Sequence, residues 1–280
     1  MKDRPVVELI DEVLNRDEIE LSVFNQVAQE LQKVVSQENF SLDDIAEIIR
    51  KDQALASQVL KVANSAFYAG LQPAKTIQSA SVRLGAKTIF NVVTIITQKQ
   101  LYRSKVKQFG PIIQSLWVHA LGAATASRWL CLHMGLPHIA EESFLAGLLH
   151  DIGKLLIFRA IEELLTTQPD FKKISLNLVE EIIVALHAAQ GERLMRRLNI
   201  PEAYCEVAGR HHDPEVKGDN IILNVVRLAN LTCHKLGLGP KKDPEIMLST
   251  TPEALNLMAK DILLAELQVE LEDQVAALPV

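Results

Sequence analysis

The sequence predicts an all-α fold, a two-lobed helical bundle, and three observations predict it. Apolar residues recur at three- and four-residue steps along most of the chain, the spacing that lines one face of a helix. No segment alternates apolar and polar residues for long enough to make a half-buried strand. Twelve Gly and eleven Pro in 280 residues are too few for turn-rich β structure. That length is generous for one unit and short for three, so two lobes with a short extension are expected: 1–110, 111–240 and 241–280.

The first lobe opens with a short amphipathic piece over 6–16. Leu21, Phe24, Val27, Ala28, Leu31, Val34 and Val35 then mark one face of a helix. Ser41-Leu42-Asp43-Asp44 reads as a capping-box start, followed by Ile45, Ile48 and Ile49. Asp52 caps a helix through Leu55, Val59, Leu60 and Val62, which ends near Asn64–Gly70. Further helices cover 76–84 and, after Gly85, the stretch through Ile89, Val92, Val93 and Ile96. The pair 42–51 and 53–63 has the outline of a helix-turn-helix. Its second helix offers only Lys61 as a cation, whereas a recognition helix brings several groups to phosphates and bases.

The second lobe opens with a helix from Pro111 to His133 that is apolar nearly all round and therefore central. It carries His119, which by itself reads as a core histidine. His133 has an electrostatic reason to sit at a helix C-terminus, and His138 falls in a loop. The stretch Phe144–Lys154 then delivers His150 and Asp151 from an apolar run, with Lys154 one turn beyond His150. Burying an imidazole and a carboxylate together is costly unless something pairs with both, and a divalent metal suits both; a polar helix end facing water is the alternative. An apolar helix over 177–187 ends at His187, and Ala188-Ala189-Gln190-Gly191 starts another. Pro201, at a first helical position, opens one that reaches the pair His211-His212. Asp219 or Asn220 caps a last core helix carrying Asn230 and His234. In the extension, Thr251-Pro252-Glu253 starts a helix to about Lys260. Asp261–Leu278 forms another, with Ile262, Leu263, Leu267, Leu271, Val275 and Leu278 toward its own lobes.

Composition narrows the function. A formal net charge of −6 argues against a broad nucleic-acid surface. Cys131, Cys205 and Cys233 form no Cys-x-x-Cys pair and read as free thiols, which fits a reducing cytoplasm. No apolar run is long enough to span a bilayer, and the N-terminus has no apolar signal core.

Three separated stretches, Ile48–Leu55, Leu60–Tyr68 and Ser81–Gly85, resemble in order the N-terminal helical half of the HDOD family, output modules of bacterial signalling related to HD-domain phosphohydrolases. Gly147-Leu148-Leu149-His150-Asp151-Ile152-Gly153 resembles that family's central motif, and the similarity covers roughly 20–235. The resemblance implies an HD-like second lobe and a signalling role exercised on a protein partner or a small phosphorylated ligand. It also implies a metal-ligand set of His119, His150, Asp151, His187, His211 and His212 for one or two ions. Such donors admit iron, manganese, nickel or zinc. The alternative it carries is a working phosphohydrolase acting on a nucleotide or other phosphate ester, with Asp151 and Lys154 as catalytic groups and Lys154 steadying phosphate charge. Two departures stand out. Asn230 occupies a position where the related pattern has Asp, with His234 one turn away as a substitute. The segment after His212 lacks the Gly-Tyr-Pro signature of the cyclic di-GMP phosphodiesterases of the HD-GYP type.

Overall fold

The computed structural model describes residues 6–14, 26–37, 39–68, 70, 72–168, 171, 174–215 and 218–277. Among these there are helices, turns and no strand. The expected positions Leu21, Phe24 and Leu278 lie outside the described residues.

Six helices make the first part of the fold: α1 (Val6–Leu14), α2 (Gln26–Val35), α3 (Leu42–Arg50), α4 (Gln53–Ala63), α5 (Ile77–Leu84) and α6 (Ala86–Lys99). Their starts follow the local chemistry. Ser41 and Asp44 close the expected capping box, and the Asp52 carboxylate accepts from the Leu55 N–H at 3.0 Å. Gly85, at φ +81°, lets α5 turn directly into α6.

The remaining helices surround α7 (Gly110–His133). They are α8 (Ala140–Leu149), α9 (Ile152–Thr167), α10 (Leu176–Arg197), α11 (Glu202–Arg210), α12 (Ile221–Leu236), α13 (Pro252–Asn256) and α14 (Asp261–Ala277). As its composition demands, α7 is buried along most of its length and packs against α8, α12 and α14. Apolar contacts run without a break from Ile10 on α1 to Ala208 on α11, across residue 110. A second cluster joins the C-terminal half of α7 to α12, α13 and α14.

Several element boundaries differ from the sequence reading. The helix expected to stop at His187 continues unbroken to Arg197, because Ala188, Ala189 and Gln190 favour helix and the backbone of Gly191 lies against Gly153. The apolar run that delivers His150 and Asp151 is divided between two helices, with the pair at the break between α8 and α9. Pro201 sits at the N-cap of α11 rather than at its first helical position, and Asn220, not Asp219, caps α12 through the Leu223 N–H at 2.9 Å. His138 lies in a 3-10 turn, Pro137–Ile139. The helix begun at Thr251 lasts only to Asn256 and is followed by Met258 at φ +51°. Along α14 the buried stripe is Leu264, Leu267 and Leu271, packed toward α7, whereas Ile262 faces solvent.

Candidate metal centre

Four helices and one helix break converge on Asp151. The break is made possible by the glycines on either side of the His-Asp pair. A Cβ on Gly147 would stand 2.8 Å from the Ala123 carbonyl of α7, and one on Gly153 would stand 1.9 Å from the His187 carbonyl of α10. Bare backbone at both positions lets α8 approach α7 and lets α9 approach α10, which carries His119 and His187 to the same centre as the pair. Asp151 begins α9, yet its carboxylate does not cap that helix. The carboxylate is turned into the interior instead, 4% exposed.

The imidazoles are locked by the backbone. Nδ1 of His119 lies 2.9 Å from the Leu238 carbonyl, Nδ1 of His150 2.7 Å from that of Gly147, Nδ1 of His187 2.7 Å from that of Ile183, and Nδ1 of His211 2.9 Å from that of Ala208. A carbonyl only accepts, so each Nδ1 carries the hydrogen and each Nε2 presents a lone pair. Those four Nε2 atoms surround one carboxylate. His119 and His150 stand 3.5 and 3.3 Å from Asp151 Oδ2, while His187 and His211 each stand 3.4 Å from Oδ1. The Nε2 atoms of His187 and His211 face each other at 3.3 Å.

Acceptor therefore faces acceptor. His119 Nε2, His150 Nε2 and Asp151 Oδ1 are buried without a hydrogen-bond partner. Protonating the rings does not relieve this, because burial drives His119 down to about 3 and His187 down to about 4, against the pull of Asp151, and burial also lowers His211. Burial pushes the Asp151 carboxyl up but is outweighed by neighbouring positive charge, the Lys154 ammonium among it, which holds it well below the usual carboxylate range. Neutral imidazole lone pairs around an ionised carboxylate, each ring oriented by a carbonyl on its far nitrogen, are donors of the kind that suit a divalent cation. The donors fall into two groups, each within 4.8 Å of one another: His119, His150 and Asp151, and Asp151, His187, His211 and His212. Asp151 belongs to both. The cluster is thus a possible His/Asp metal site, and all six residues expected from the sequence are in it.

Lys154, in the first turn of α9, places its ammonium 2.5 Å from Asp151 Oδ2. A cation is unfavourable at a helix N-terminus, so the carboxylate rather than the helix accounts for its position. His212, at the solvent edge, has its ring 4.1 Å from that of His211. On α12, the His234 ring stacks on His119 at 5.0 Å, and the Asn230 Oδ1 is buried without a partner. His133 lies outside the cluster, stacked on Trp129. Sequence reasoning missed the carbonyls that orient the rings, which carry no residue-type signal. It also missed Gly239, whose absent Cβ would stand 2.7 Å from that of His119.

Comparison with known proteins supports the same fold. The HDOD domain family profile matches residues 21–214. An HDOD domain protein of unknown function from Geobacter sulfurreducens is 23% identical, with a TM-score of 0.75 over 97% of this chain and 96% of its own. A protein of Shewanella amazonensis SB2B named "Putative metal-dependent phosphohydrolase" is 21% identical, with a TM-score of 0.73 over 96% and 97% of the two chains. At these identities the likeness establishes the fold. An uncharacterised protein of Treponema pallidum (strain Nichols) is 24% identical over 209 residues, which are 72% of this chain but only 40% of that protein's length. With the profile match covering more than half of the sequence, the chain belongs to the HDOD domain family.

Proposed function

We propose that this chain is a signal-transduction HDOD protein that retains a divalent-metal centre built on Asp151. The observation that carries the proposal is the convergence of four carbonyl-locked Nε2 lone pairs on one buried carboxylate. His119 and His150 would hold an ion on the Oδ2 side, and His187, His211 and His212 one on the Oδ1 side, with Asp151 shared. A regulatory use is supported by two further features. The α1–α6 region shares its apolar core with the helices that hold the site, so a change at one is felt at the other. Asn230, on α12, offers a neutral oxygen, buried without a partner, where the related pattern has a carboxylate that binds a cation more strongly.

A second reading, a metal-dependent phosphohydrolase, is favoured by Lys154 beside Asp151. The chemistry a divalent ion supplies there is Lewis-acid polarisation of a phosphate ester. In that reading Lys154 contributes a point charge that orients phosphate on the Asp151 Oδ2 side, and the buried faces of α7, α8 and α10 exclude water from behind the centre.

Elemental analysis of the full chain purified without a chelating tag, paired with a screen of phosphomonoesters and phosphodiesters in manganese or iron(II), separates the two. One or two equivalents of metal without turnover is the expected result. Metal with turnover that Asp151→Ala abolishes makes the protein an enzyme. No metal after reconstitution rejects both readings.

A further inference from the structure

The pair His211-His212 follows the C-terminus of α11, where the last carbonyls of a helix have no partner within it. The Arg210 carbonyl there accepts from the Asp213 N–H at 2.9 Å and is also held from a distant part of the chain. Arg227, on α12, donates from Nη1 to the carbonyls of Arg210 at 3.1 Å and Asp213 at 2.9 Å, which lie on either side of the two histidines. The same guanidinium donates from Nε to Glu253 Oε1 at 2.8 Å. Glu253, in the first turn of α13, is 3% exposed, and the Arg227 side chain is 11% exposed. A buried ion pair of this kind is a poor source of stability but a good source of register. The planar fork of arginine suits it to bind one carboxylate and two carbonyls at once. Asp213 is tied a second time, through its carboxylate, to Arg210 Nε at 2.9 Å. Arg227 and Glu253 both lie beyond residue 214, where the family match ends.

We propose that Arg227 and Glu253 are positioning residues, a clamp through which α13 sets the geometry of the His211-His212 turn and hence metal affinity on the Oδ1 side of Asp151. The inference rests on the metal reading above for its consequence but not for its first step, the ordering of the turn. Glu253 fixes the guanidinium, the guanidinium fixes the two carbonyls, and the carbonyls fix the backbone from which His211 and His212 project. Losing such an outer partner typically weakens metal binding about 10- to 100-fold. The Oδ2 side is oriented separately, by the carbonyls of Leu238 and Gly147, and is not subject to the clamp.

The test uses the full chain carrying Glu253→Ala or Glu253→Gln, read by amide hydrogen exchange and by manganese binding. Glu253→Ala speeds exchange at 208–213 while α7–α10 exchange as before. Glu253→Gln, whose Oε1 still accepts from Arg227, stays near the wild type. Manganese binding is then measured in two backgrounds, His119→Ala, which leaves the Oδ1 donors, and His187→Ala, which leaves the Oδ2 donors. Adding Glu253→Ala weakens binding about 10- to 100-fold in the first and leaves the second unchanged. Unchanged exchange at 208–213, or exchange accelerated evenly along the chain, overturns the clamp. Equal weakening in both backgrounds overturns it as well. If Glu253→Ala does not fold, Arg227→Lys, with a single ammonium for three acceptors, must loosen the same turn, and a protected turn in that variant rejects the inference. A wild type that binds no manganese rejects the metal reading, and the exchange results still decide the clamp.

Discussion

At the scale of single residues, the site is a problem in protonation. His119, His187 and His211 are held neutral by burial, with His119 near 3 and His187 near 4 against 6.5 for a free imidazole. A folded pKa below the unfolded value means that the unfolded chain binds protons that the folded chain does not. The stabilising contribution is therefore complete above about pH 6.5 and is lost as pH falls toward 4 and then 3. Asp151 is depressed as well, and its contribution goes only below the ordinary carboxylate value of 3.8. Melting temperature should be flat above pH 7 and fall between about 6.5 and 4, whereas the folded chain should keep bound metal down to about pH 4, where its histidines begin to take up protons. A melting temperature independent of pH across that range contradicts the buried neutral histidines. Asn230 makes the companion case. Its Oδ1 is buried and unpartnered, so Asn230→Asp should tighten manganese binding at least about tenfold, or about 1.4 kcal/mol. An unchanged isotherm would place that position outside the centre. The clustered residues were legible because His and Asp carry their chemistry in their identity. The atoms that orient them were not, because the carbonyls of Leu238, Gly147, Ile183 and Ala208 are common to every residue type.

At the scale of elements, what matters is how closely the helices approach. The pattern of apolar residues was enough to find the helices, and capping chemistry placed the starts at Ser41, Asp52 and Thr251 where the structure has them. The error at His187 shows the limit. A small-residue run looks like punctuation in sequence, but Ala188–Gly191 continues a helix whose smallness serves contact with α9. The same contact explains why the His-Asp pair ends in Gly153 rather than in a better helix former. Gly153→Ala places a methyl 1.9 Å from the His187 carbonyl, so α9 and α10 must part. Overpacking typically costs about 1–3 kcal/mol, and a clash against backbone belongs at or above the upper end. Because the displaced element carries His187, Gly153→Ala should weaken manganese binding as well as lower the denaturation midpoint. A loss of stability with an unaltered isotherm would show that the contact supports the fold without positioning the ligand.

At the scale of the whole molecule, residue 110 is a boundary in chain order and not in the core. The apolar cluster from Ile10 to Ala208 includes Ile89, Ile95, Leu149 and Ile152, so the first six helices and the walls of the candidate metal centre share one interior. Units that share an interior melt together. Far-UV circular dichroism reports every helix, whereas Trp117 and Trp129 both lie on α7 and report the neighbourhood of His119. The two probes should give coincident thermal transitions. Manganese at a hundred times its dissociation constant should stabilise the native state by about 2.7 kcal/mol and shift both transitions equally. If the first lobe folded independently, a helical transition insensitive to metal would persist beneath the tryptophan signal. Coincidence matters for the proposed regulatory role, which needs the ligand site and the exposed helical surfaces to answer to one equilibrium. A metal that raised only the tryptophan transition would confine its influence to the second lobe and leave α1–α6 without a physical route to sense it.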